Sequence, residues 1–171
     1  MRTYEIEQKY RLVHPQKTKR LLIRLGAKKI AGGIESNELL DLNEALKRKG
    51  SLLRSRRHGS GIARLTFKGA RLKGRYKKRL EIEITVDYAR AKEIFQFLGF
   101  KVVANYTKKR EEFSLGTCKV ALDYLPKVGW FIEIEGKPST IQHVSMKLGL
   151  RKADREELSY LGLLHRQKAK S

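Results

Sequence analysis

The chain repeats one short alternating motif, Glu-Ile-Glu, at three widely spaced places: Glu5–Glu7, Glu81–Glu83 and Glu133–Glu135. Successive side chains of a β-strand point to opposite faces, so each copy puts two carboxylates on one face and an isoleucine on the other. Two carboxylates on one face repel each other unless a cation or basic side chains lie opposite them. A solvated edge strand would explain one copy, but three copies predict one shared acidic surface.

Similar alternation predicts strands along most of the chain. The predicted strands are residues 4–10, 34–42, 51–58, 61–69, 77–86, 101–114, 117–125 and 130–136. Glycine-rich spacing at Gly59-Ser60-Gly61 predicts a hairpin between the third and fourth of them. Nearly every strand carries charge on one face and Ile, Leu, Val or Phe on the other. The charged faces are therefore a property of the whole sheet.

Helices are predicted after the first, fifth and last strands. Proline at a first turn, Asp at an N-cap and glycine after the last turn set the bounds. The predicted helices run from Pro15 to Gly26, from Asp87 to Gly99 and from Pro138 to near Gly149, with a last one capped by Asp154. The buried side of the first is assigned to Leu21, Leu22, Ile23 and Leu25. The basic tail at 165–171 is expected to fray.

These elements predict a single α+β domain over residues 1–171, large enough for a substantial core. Its expected architecture is an eight-stranded antiparallel β-barrel with the helices packed on the outside. Charged faces would line a water-filled interior, and apolar faces would lie beneath the helices. The alternative is a sandwich or half-open sheet that turns its charged face to solvent.

Composition narrows the class of partner. The formal net charge of +21 predicts long-range attraction for polyanions such as nucleotides, polyphosphate or nucleic acid. Cys118 is the only cysteine, so an internal disulfide is excluded and a reducing, cytoplasmic location is expected. No apolar run is long enough to span a bilayer, so no membrane partner is expected. The four histidines lack zinc-like spacing.

The charged strand faces contain two complementary sets. The acids are Glu5, Glu7, Glu81, Glu83, Asp123, Glu133 and Glu135, and the bases are Lys9, Arg54, Arg56, Arg64, Lys68, Arg79, Lys108 and Arg110. Clustered carboxylates suit a hard divalent cation, Mg²⁺ or Mn²⁺, whereas clustered Arg and Lys suit phosphate oxygens. Together they predict a site for a metal-bound polyphosphate. Phosphoryl and nucleotidyl transfer require mainly positioning and charge neutralisation there.

An ordered series of motifs resembles a known family. It comprises Glu5-Ile6-Glu7-Gln8-Lys9, Leu53-Arg54-Ser55-Arg56, Thr66-Phe67-Lys68-Gly69, Arg79-Leu80-Glu81-Ile82-Glu83, Lys108-Lys109-Arg110, Leu122-Asp123, Gly129-Trp130-Phe131-Ile132-Glu133-Ile134-Glu135 and Ser159-Tyr160. The first resembles the N-terminal Glu-x-Glu-x-Lys signature of the CYTH, or triphosphate tunnel metalloenzyme, superfamily. The set covers nearly the whole chain in the family's order, and its overall likeness is to the class IV adenylyl cyclase branch.

The resemblance implies an antiparallel tunnel that binds triphosphate with a divalent metal. Family activities include class IV adenylyl cyclase, thiamine triphosphatase, inorganic triphosphatase and RNA triphosphatase. All seven acids become candidates for metal binding or water positioning, and the bases become phosphate ligands, with Arg64 the looser match. The expected catalytic residues are Glu5, Glu7, Lys9, Glu133 and Glu135. Leu39-Leu40-Asp41 departs from the family, where aromatic residues often precede the aspartate, so substrate contacts there are expected to differ.

Two classes of function remain open at this point. The first is a metal-dependent enzyme, a cyclase or a triphosphatase, acting on ATP, inorganic triphosphate or thiamine triphosphate as a monomer or homodimer. The second is a non-catalytic module for polyphosphate or RNA. Basic residues outside the predicted site motivate it, namely Lys17, Lys19, Arg20, Lys47–Lys49, Lys73–Lys78 and the tail. Base-stacking aromatics are not interleaved with these runs, which makes nucleic acid a secondary partner.

Overall fold

The computed structural model describes residues 3–58 and 62–169, and this part of the chain contains eight β-strands and five α-helices. The strands are β1 (Thr3–Leu12), β2 (Lys28–Asp41), β3 (Leu52–Arg57), β4 (Ile62–Lys68), β5 (Lys77–Asp87), β6 (Lys101–Leu115), β7 (Cys118–Leu125) and β8 (Gly129–Glu135). The helices are α1 (Pro15–Arg24), α2 (Ala45–Arg48), α3 (Tyr88–Phe97), α4 (Pro138–Lys147) and α5 (Tyr160–Lys168). The predicted turn at Gly59-Ser60-Gly61 lies outside the described residues.

The strands form a closed antiparallel barrel in the hydrogen-bonding order β1-β5-β4-β3-β2-β6-β7-β8. This confirms the predicted fold class. The order follows from the connections, because consecutive antiparallel strands joined by short turns pair with each other, as β3 does with β4 and β7 with β8. No described helix has the length and apolar character needed to cross a membrane.

The chain divides into two compact units. Unit 1 comprises Met1–Glu5 and Ile34–Thr107, and unit 2 comprises Ile6–Gly33 and Lys108–Ser171. Within unit 1, β2, β3, β4 and β5 pair in sequence. Within unit 2, β6 pairs with β7, β7 with β8, and β8 with the first strand, β1. Each unit therefore has its own four-stranded antiparallel sheet with a charged face and an apolar face.

In unit 1 the charged face is the one withdrawn from water. On β5 the side chains of Glu81 and Glu83 are 18% and 24% exposed, whereas Ile82 and Ile84 on the other face are 44% and 54% exposed. This confirms the inverted polarity of the strand. The expectation that helices cover the apolar faces is wrong for β5, because these isoleucines remain in contact with solvent.

In unit 2 both faces of the sheet are buried. Ile132 and Ile134 of β8 are fully buried, and α4, which follows β8, packs its own buried Ile141 and Val144 on that side. The charged face contributes equally buried polar residues, described below. A helix therefore covers the apolar face here, as the sequence predicts, and the core of unit 2 lies between α4 and the sheet.

Several element bounds differ from the prediction. Strand β2 begins at Lys28, six residues earlier than expected, because its glycine-containing start lacks the alternation that identifies strands. Asp154 ends a short 3-10 turn, Lys152–Asp154, and does not cap the last helix. Ser159 caps α5 instead, by accepting a hydrogen bond from the Gly162 backbone N–H. The helix continues to Lys168; Lys170 and Ser171 lie outside the described residues.

The helix start and stop signals were otherwise correct. Pro15 occupies the first turn of α1, and Asp87 caps α3 by accepting from the Arg90 backbone N–H at 2.9 Å. Gly26 and Gly99 follow α1 and α3 with φ of +88° and +83°, the left-handed conformation that favours glycine. Only Leu22 of the four apolar residues assigned to the α1 core is fully buried, so the assignment of Ile23, which is exposed, was wrong.

Candidate active site

The acids of β1 and β5 meet in unit 1 around one lysine. Lys68 Nζ lies 2.5 Å from Glu5 Oε2 and 3.0 Å from Glu81 Oε2. Burial raises the pKa of Glu5, and the neighbouring Glu81 carboxylate raises it further, although the Lys68 charge acts in the opposite direction. Two carboxylates that share one cation still repel each other, and a further cation bound to their oxygens would relieve that repulsion. These three residues were all predicted from the sequence.

Glu83 lies at the centre of a second contact set in unit 1. It accepts hydrogen bonds from Arg56 at 2.9 Å, Arg64 at 2.8 Å and the Thr66 hydroxyl at 2.8 Å. Burial by itself would raise its pKa, but these hydrogen bonds and the Arg56 and Arg64 charges outweigh burial and lower the pKa to about 2. Glu83 is therefore a firmly ionised acid that orients two of the predicted phosphate ligands.

The remaining bases predicted in unit 1 share the same strand face. Register places Arg54 opposite Thr66, which lies opposite Glu83, so all three point to one side. Arg79 is half-buried and joins Glu81 and Glu83 by alternation along β5. Arg64, the looser family match, is the most exposed base of this face that forms an ion pair. The structure thus gathers the predicted acids and bases of β3, β4 and β5 on one side.

Asp123 organises the charged face of unit 2. It is fully buried and accepts hydrogen bonds from Lys108 at 3.1 Å and from Arg110 Nε and Nη2 at 2.7 and 2.6 Å. Arg110 Nη2 also donates to Glu133 at 2.5 Å. Lys9 Nζ lies 3.9 Å from Glu133, and its side chain is only 2% exposed. A buried ammonium or guanidinium group is unfavourable unless an opposite charge lies beside it. These acids and bases therefore stabilise one another.

Tyr160 of α5 completes this cluster. Its hydroxyl donates to Asp123 Oδ2 at 2.5 Å, and its ring lies 4.0 Å from Lys9 Nζ and 4.5 Å from Lys108 Nζ. Both ammonium groups therefore face an aromatic ring that attracts cations. Burial raises the pKa of Tyr160 well above its usual value, and the Asp123 charge adds to this effect. The hydroxyl thus remains protonated and acts as a donor.

Register brings a further pair of acids together in unit 2. Glu7 of β1 lies directly opposite Glu135 of β8. The pair formed by Lys9 and Glu133 lies two residues further along the same two strands. Like charges in directly opposed positions destabilise a sheet unless they are compensated. Lys119 faces Glu135 from the other neighbouring strand. Glu7 and Glu135 are therefore a second pair of carboxylates on the charged face.

Each carboxylate pair suits a divalent metal ion that also binds substrate phosphate and water. Among residues 3–58 and 62–169, no group of three His, Cys, Asp or Glu side chains is placed to hold a metal ion. Mg²⁺, however, commonly binds through one or two carboxylates, substrate phosphates and retained water. The Glu5–Glu81 pair provides that donor chemistry in unit 1, and Glu7 with Glu135 provides it in unit 2.

Sequence reasoning missed several residues of these clusters. Glu35 is fully buried, with Arg56 Nη1 3.6 Å from its carboxylate; it falls within the predicted strand 34–42, but its polar neighbours conceal the alternation there. Tyr160 belonged to the resembling Ser-Tyr motif but received no role, because its contact with Asp123 joins residues far apart in the chain. Asp41 accepts three backbone N–H bonds, from Leu42, Leu46 and Lys47, so it anchors α2.

Comparison with known proteins agrees with the geometry. The family model described as the CYTH domain matches residues 3–158, so the chain belongs to the CYTH family. The match runs through both units and includes every predicted site residue. Tyr160 lies two residues beyond its end.

Individual relatives add further detail. A Methanocaldococcus jannaschii protein provisionally named adenylate cyclase is 33% identical over 78 residues, which cover 45% of this chain and 45% of that protein, less than half of its length. Among solved structures, a Vibrio parahaemolyticus protein also provisionally named adenylate cyclase has a TM-score of 0.83 at 21% identity, covering 95% and 98% of the two chains. A Pyrococcus horikoshii protein is 31% identical, with a TM-score of 0.79 and coverage of 93% and 98%. A Hippeastrum protein, provisionally named adenylyl cyclase and described as having a dominant triphosphatase activity, has a TM-score of 0.71 at 14% identity, covering 97% and 96%.

Proposed function

We propose that this CYTH protein is a metal-dependent enzyme that acts on a triphosphate substrate, with conversion of ATP to cyclic AMP and pyrophosphate as the first reaction to test. The observation that carries the proposal is the pairing of acids and bases on strand faces that are withdrawn from solvent, above all Lys68 between Glu5 and Glu81. Solvated surface charges would not need such compensation. The provisional cyclase names of two relatives support the same reaction.

The basic side chains would bind and orient the phosphates. In unit 2, Lys9, Lys108 and Arg110 are held by Asp123, Glu133 and Tyr160, and fixed cations neutralise phosphate charge without reorganising during reaction. In unit 1, Arg56 and Arg64 are fixed in the same way by Glu83. Lys68 would exchange a carboxylate partner for a phosphate oxygen. These cations would stabilise the negative charge that develops on the leaving group, which is pyrophosphate in a cyclase and the diphosphate product in a triphosphatase.

The acids would divide into two roles. Glu5 with Glu81, and Glu7 with Glu135, are the carboxylate pairs that would hold Mg²⁺ or Mn²⁺, which when bound neutralises phosphate charge. Asp123, Glu83 and Glu133, also predicted as metal ligands, each contact two basic side chains, whereas Glu5 and Glu81 share Lys68. We therefore assign them to orienting those cations.

The reaction type distinguishes a cyclase from a triphosphatase. In a cyclase the ribose hydroxyl oxygen bonds to the α-phosphorus, and the bond from that phosphorus to the bridging oxygen breaks to release pyrophosphate. In a triphosphatase, the water oxygen bonds to the terminal phosphorus and loses its proton to solvent, the bond from that phosphorus to its bridging oxygen breaks, and phosphate and the diphosphate product are released. The second candidate is favoured by the triphosphatase activity ascribed to the Hippeastrum protein, and its substrates would include inorganic and thiamine triphosphate.

Product analysis tests both reactions together. The protein is incubated with ATP, inorganic triphosphate or thiamine triphosphate and Mg²⁺ or Mn²⁺, and the products are separated by chromatography. Cyclic AMP with pyrophosphate supports the cyclase, whereas ADP with phosphate, or pyrophosphate from inorganic triphosphate, supports the triphosphatase. If no substrate turns over with either metal, the enzyme proposal fails.

A non-catalytic polyanion-binding role is the alternative of another class, motivated by the net charge of +21. Binding of single-stranded RNA would then weaken steeply with salt and would survive replacement of Glu5 and Glu7. Under the enzyme proposal, the same replacement abolishes turnover.

A further inference from the structure

Asn37 of β2 is a buried amide whose polar atoms have no partner within the part of the chain that the structure describes. Its residue is 1% exposed, and neither Nδ2 nor Oδ1 makes a hydrogen bond there. Burying an amide without hydrogen bonds is unfavourable, so native proteins almost always provide a partner from the protein, from water or from a ligand. The described fold does not supply that partner for Asn37.

The strand register places Asn37 on the charged face of unit 1. It lies directly opposite Arg56, which lies opposite Arg64, and directly opposed residues of neighbouring strands share a face. Glu35, two residues earlier in β2, is on the same face and has Arg56 Nη1 3.6 Å away. The unpartnered amide is thus among the side chains assigned above to substrate binding.

The chemistry of the amide restricts what could satisfy it. Phosphate oxygens only accept hydrogen bonds, so a phosphate could pair with Nδ2 but would leave Oδ1 without a donor. Neighbouring arginines also bind phosphate more strongly than an amide can. A group that presents a donor beside an acceptor satisfies both atoms, and the N6 amine and N7 of adenine form this bidentate pair with asparagine.

We propose that Asn37 is a specificity-determining residue that binds the amino-bearing edge of a purine nucleotide. The inference rests on the proposed function and narrows its substrate class to a nucleoside triphosphate with a donor next to an acceptor on its base. Inorganic triphosphate would bind the same cations without using Asn37.

Steady-state kinetics of the whole protein with three substrates test this role. The substrates are ATP, purine riboside triphosphate, which lacks the amine, and inorganic triphosphate, and the variant is Asn37→Leu, which keeps the shape of the side chain. We expect Asn37→Leu to raise KM for ATP about tenfold, and KM for inorganic triphosphate to change less than twofold. The wild-type preference for ATP over purine riboside triphosphate should disappear in the variant. Asn105→Leu, at an exposed position of β6, is the matched control and should leave all three values unchanged.

Other outcomes would overturn the role of Asn37. If Asn37→Leu raises Tm and leaves every KM unchanged, the amide is structural or holds only water. Equal changes in KM for all three substrates would mean that the substitution disturbs the whole site and not recognition of the base. Calorimetric binding of ATP to wild type and variant separates this inference from the proposed function. If ATP binds, binds more weakly to Asn37→Leu and is not turned over, the proposed enzyme function alone is refuted. If the protein turns over ATP and purine riboside triphosphate equally well, the role of Asn37 alone is refuted.

Discussion

At the scale of single residues, Asp123 shows how the charged faces are stabilised. A buried carboxylate is costly, but Asp123 accepts hydrogen bonds from Lys108, Arg110 and Tyr160 and thereby fixes two cations that the proposed function requires. Tyr160 contributes both a hydroxyl donor and an aromatic ring to this arrangement. A substitution that removes the hydroxyl and keeps the ring distinguishes the two contributions.

Tyr160→Phe removes the hydroxyl and keeps the ring. We expect the free energy of unfolding to fall by about 2 kcal/mol, because a buried charged acceptor loses a donor. Turnover of the triphosphate should fall about tenfold as Lys108 and Arg110 lose their fixed position. Urea unfolding and initial rates measure the two effects. Tyr10→Phe is the control, since Tyr10 is similarly buried but donates to Ser145 of α4 at 3.0 Å. Comparable loss of turnover in both variants would contradict the assigned role.

Glu83 predicts a defined dependence of stability on pH. Its pKa is lowered to about 2 in the folded protein from a usual value of 4.5. A lowered folded-state pKa means that the stabilisation is fully present above pH 4.5 and is lost as the pH falls from 4.5 towards 2. Glu83→Gln should therefore be less stable than wild type by roughly 2 kcal/mol at about pH 6, and the difference should shrink below about pH 4. Urea unfolding of both proteins across this range measures the difference. A difference that stays constant with pH would contradict the assignment.

Residue-level prediction from sequence was good for side chains on regular strands and poor elsewhere. Glu83 and Arg56 could be assigned to one face because alternation alone fixes the face. Asn37 and Glu35 fall within the predicted strand 34–42, but Ser36 and Glu38 beside them are also polar, so no contrast with apolar residues marked their face. Tyr160 reaches Asp123 from a helix 37 positions away, a contact that depends on tertiary packing.

At the scale of elements, α5 is the part that links the C-terminal segment to the charged face of unit 2. Leu163 is almost fully buried, and Arg166 Nη2 donates to Glu156 at 3.1 Å. Glu156 in turn donates its backbone N–H to the Lys9 carbonyl at 2.9 Å. The position of Tyr160 therefore depends on how firmly this helix is anchored.

Leu163→Ala should loosen α5 without touching the charged side chains. We expect a loss of about 2–5 kcal/mol in the free energy of unfolding, the usual cost of removing a buried leucine side chain. Turnover should also fall, because a loosened α5 would no longer hold Tyr160 against Asp123. Leu158→Ala, at an exposed position before the helix, is the control and should cost little. Unchanged turnover in a folded Leu163→Ala protein would show that α5 does not position the site.

Element prediction succeeded where the chemistry is local. Proline, aspartate and glycine signals set the ends of α1 and α3, and period-two alternation located the strands. It failed where two residues could serve the same role, as when Ser159, and not Asp154, capped the last helix. It also could not foresee that the apolar face of β5 would lack a covering helix, because coverage depends on where α3 packs.

At the scale of the whole molecule, one feature unites the sequence and the structure. The strands place charge on one face and apolar side chains on the other, and in each unit the charged face holds ion pairs that are largely withdrawn from solvent. The net charge of +21 then favours encounter with polyanions over long distances, while the paired acids add the metal requirement that a simple basic surface lacks.

The most direct test of this account is the initial rate of triphosphate consumption by wild type and by the double variant Glu5→Gln with Glu7→Gln, measured with Mn²⁺. Glu111→Gln is the matched control, since Glu111 is also an acid paired with lysine, here Lys19 and Lys29, but lies on the other face of β6. We predict that wild type and Glu111→Gln consume ATP or inorganic triphosphate only when metal is present, and that the double variant keeps its fold and loses at least about a hundredfold in rate. Equal rates in a folded double variant and in wild type would contradict the account.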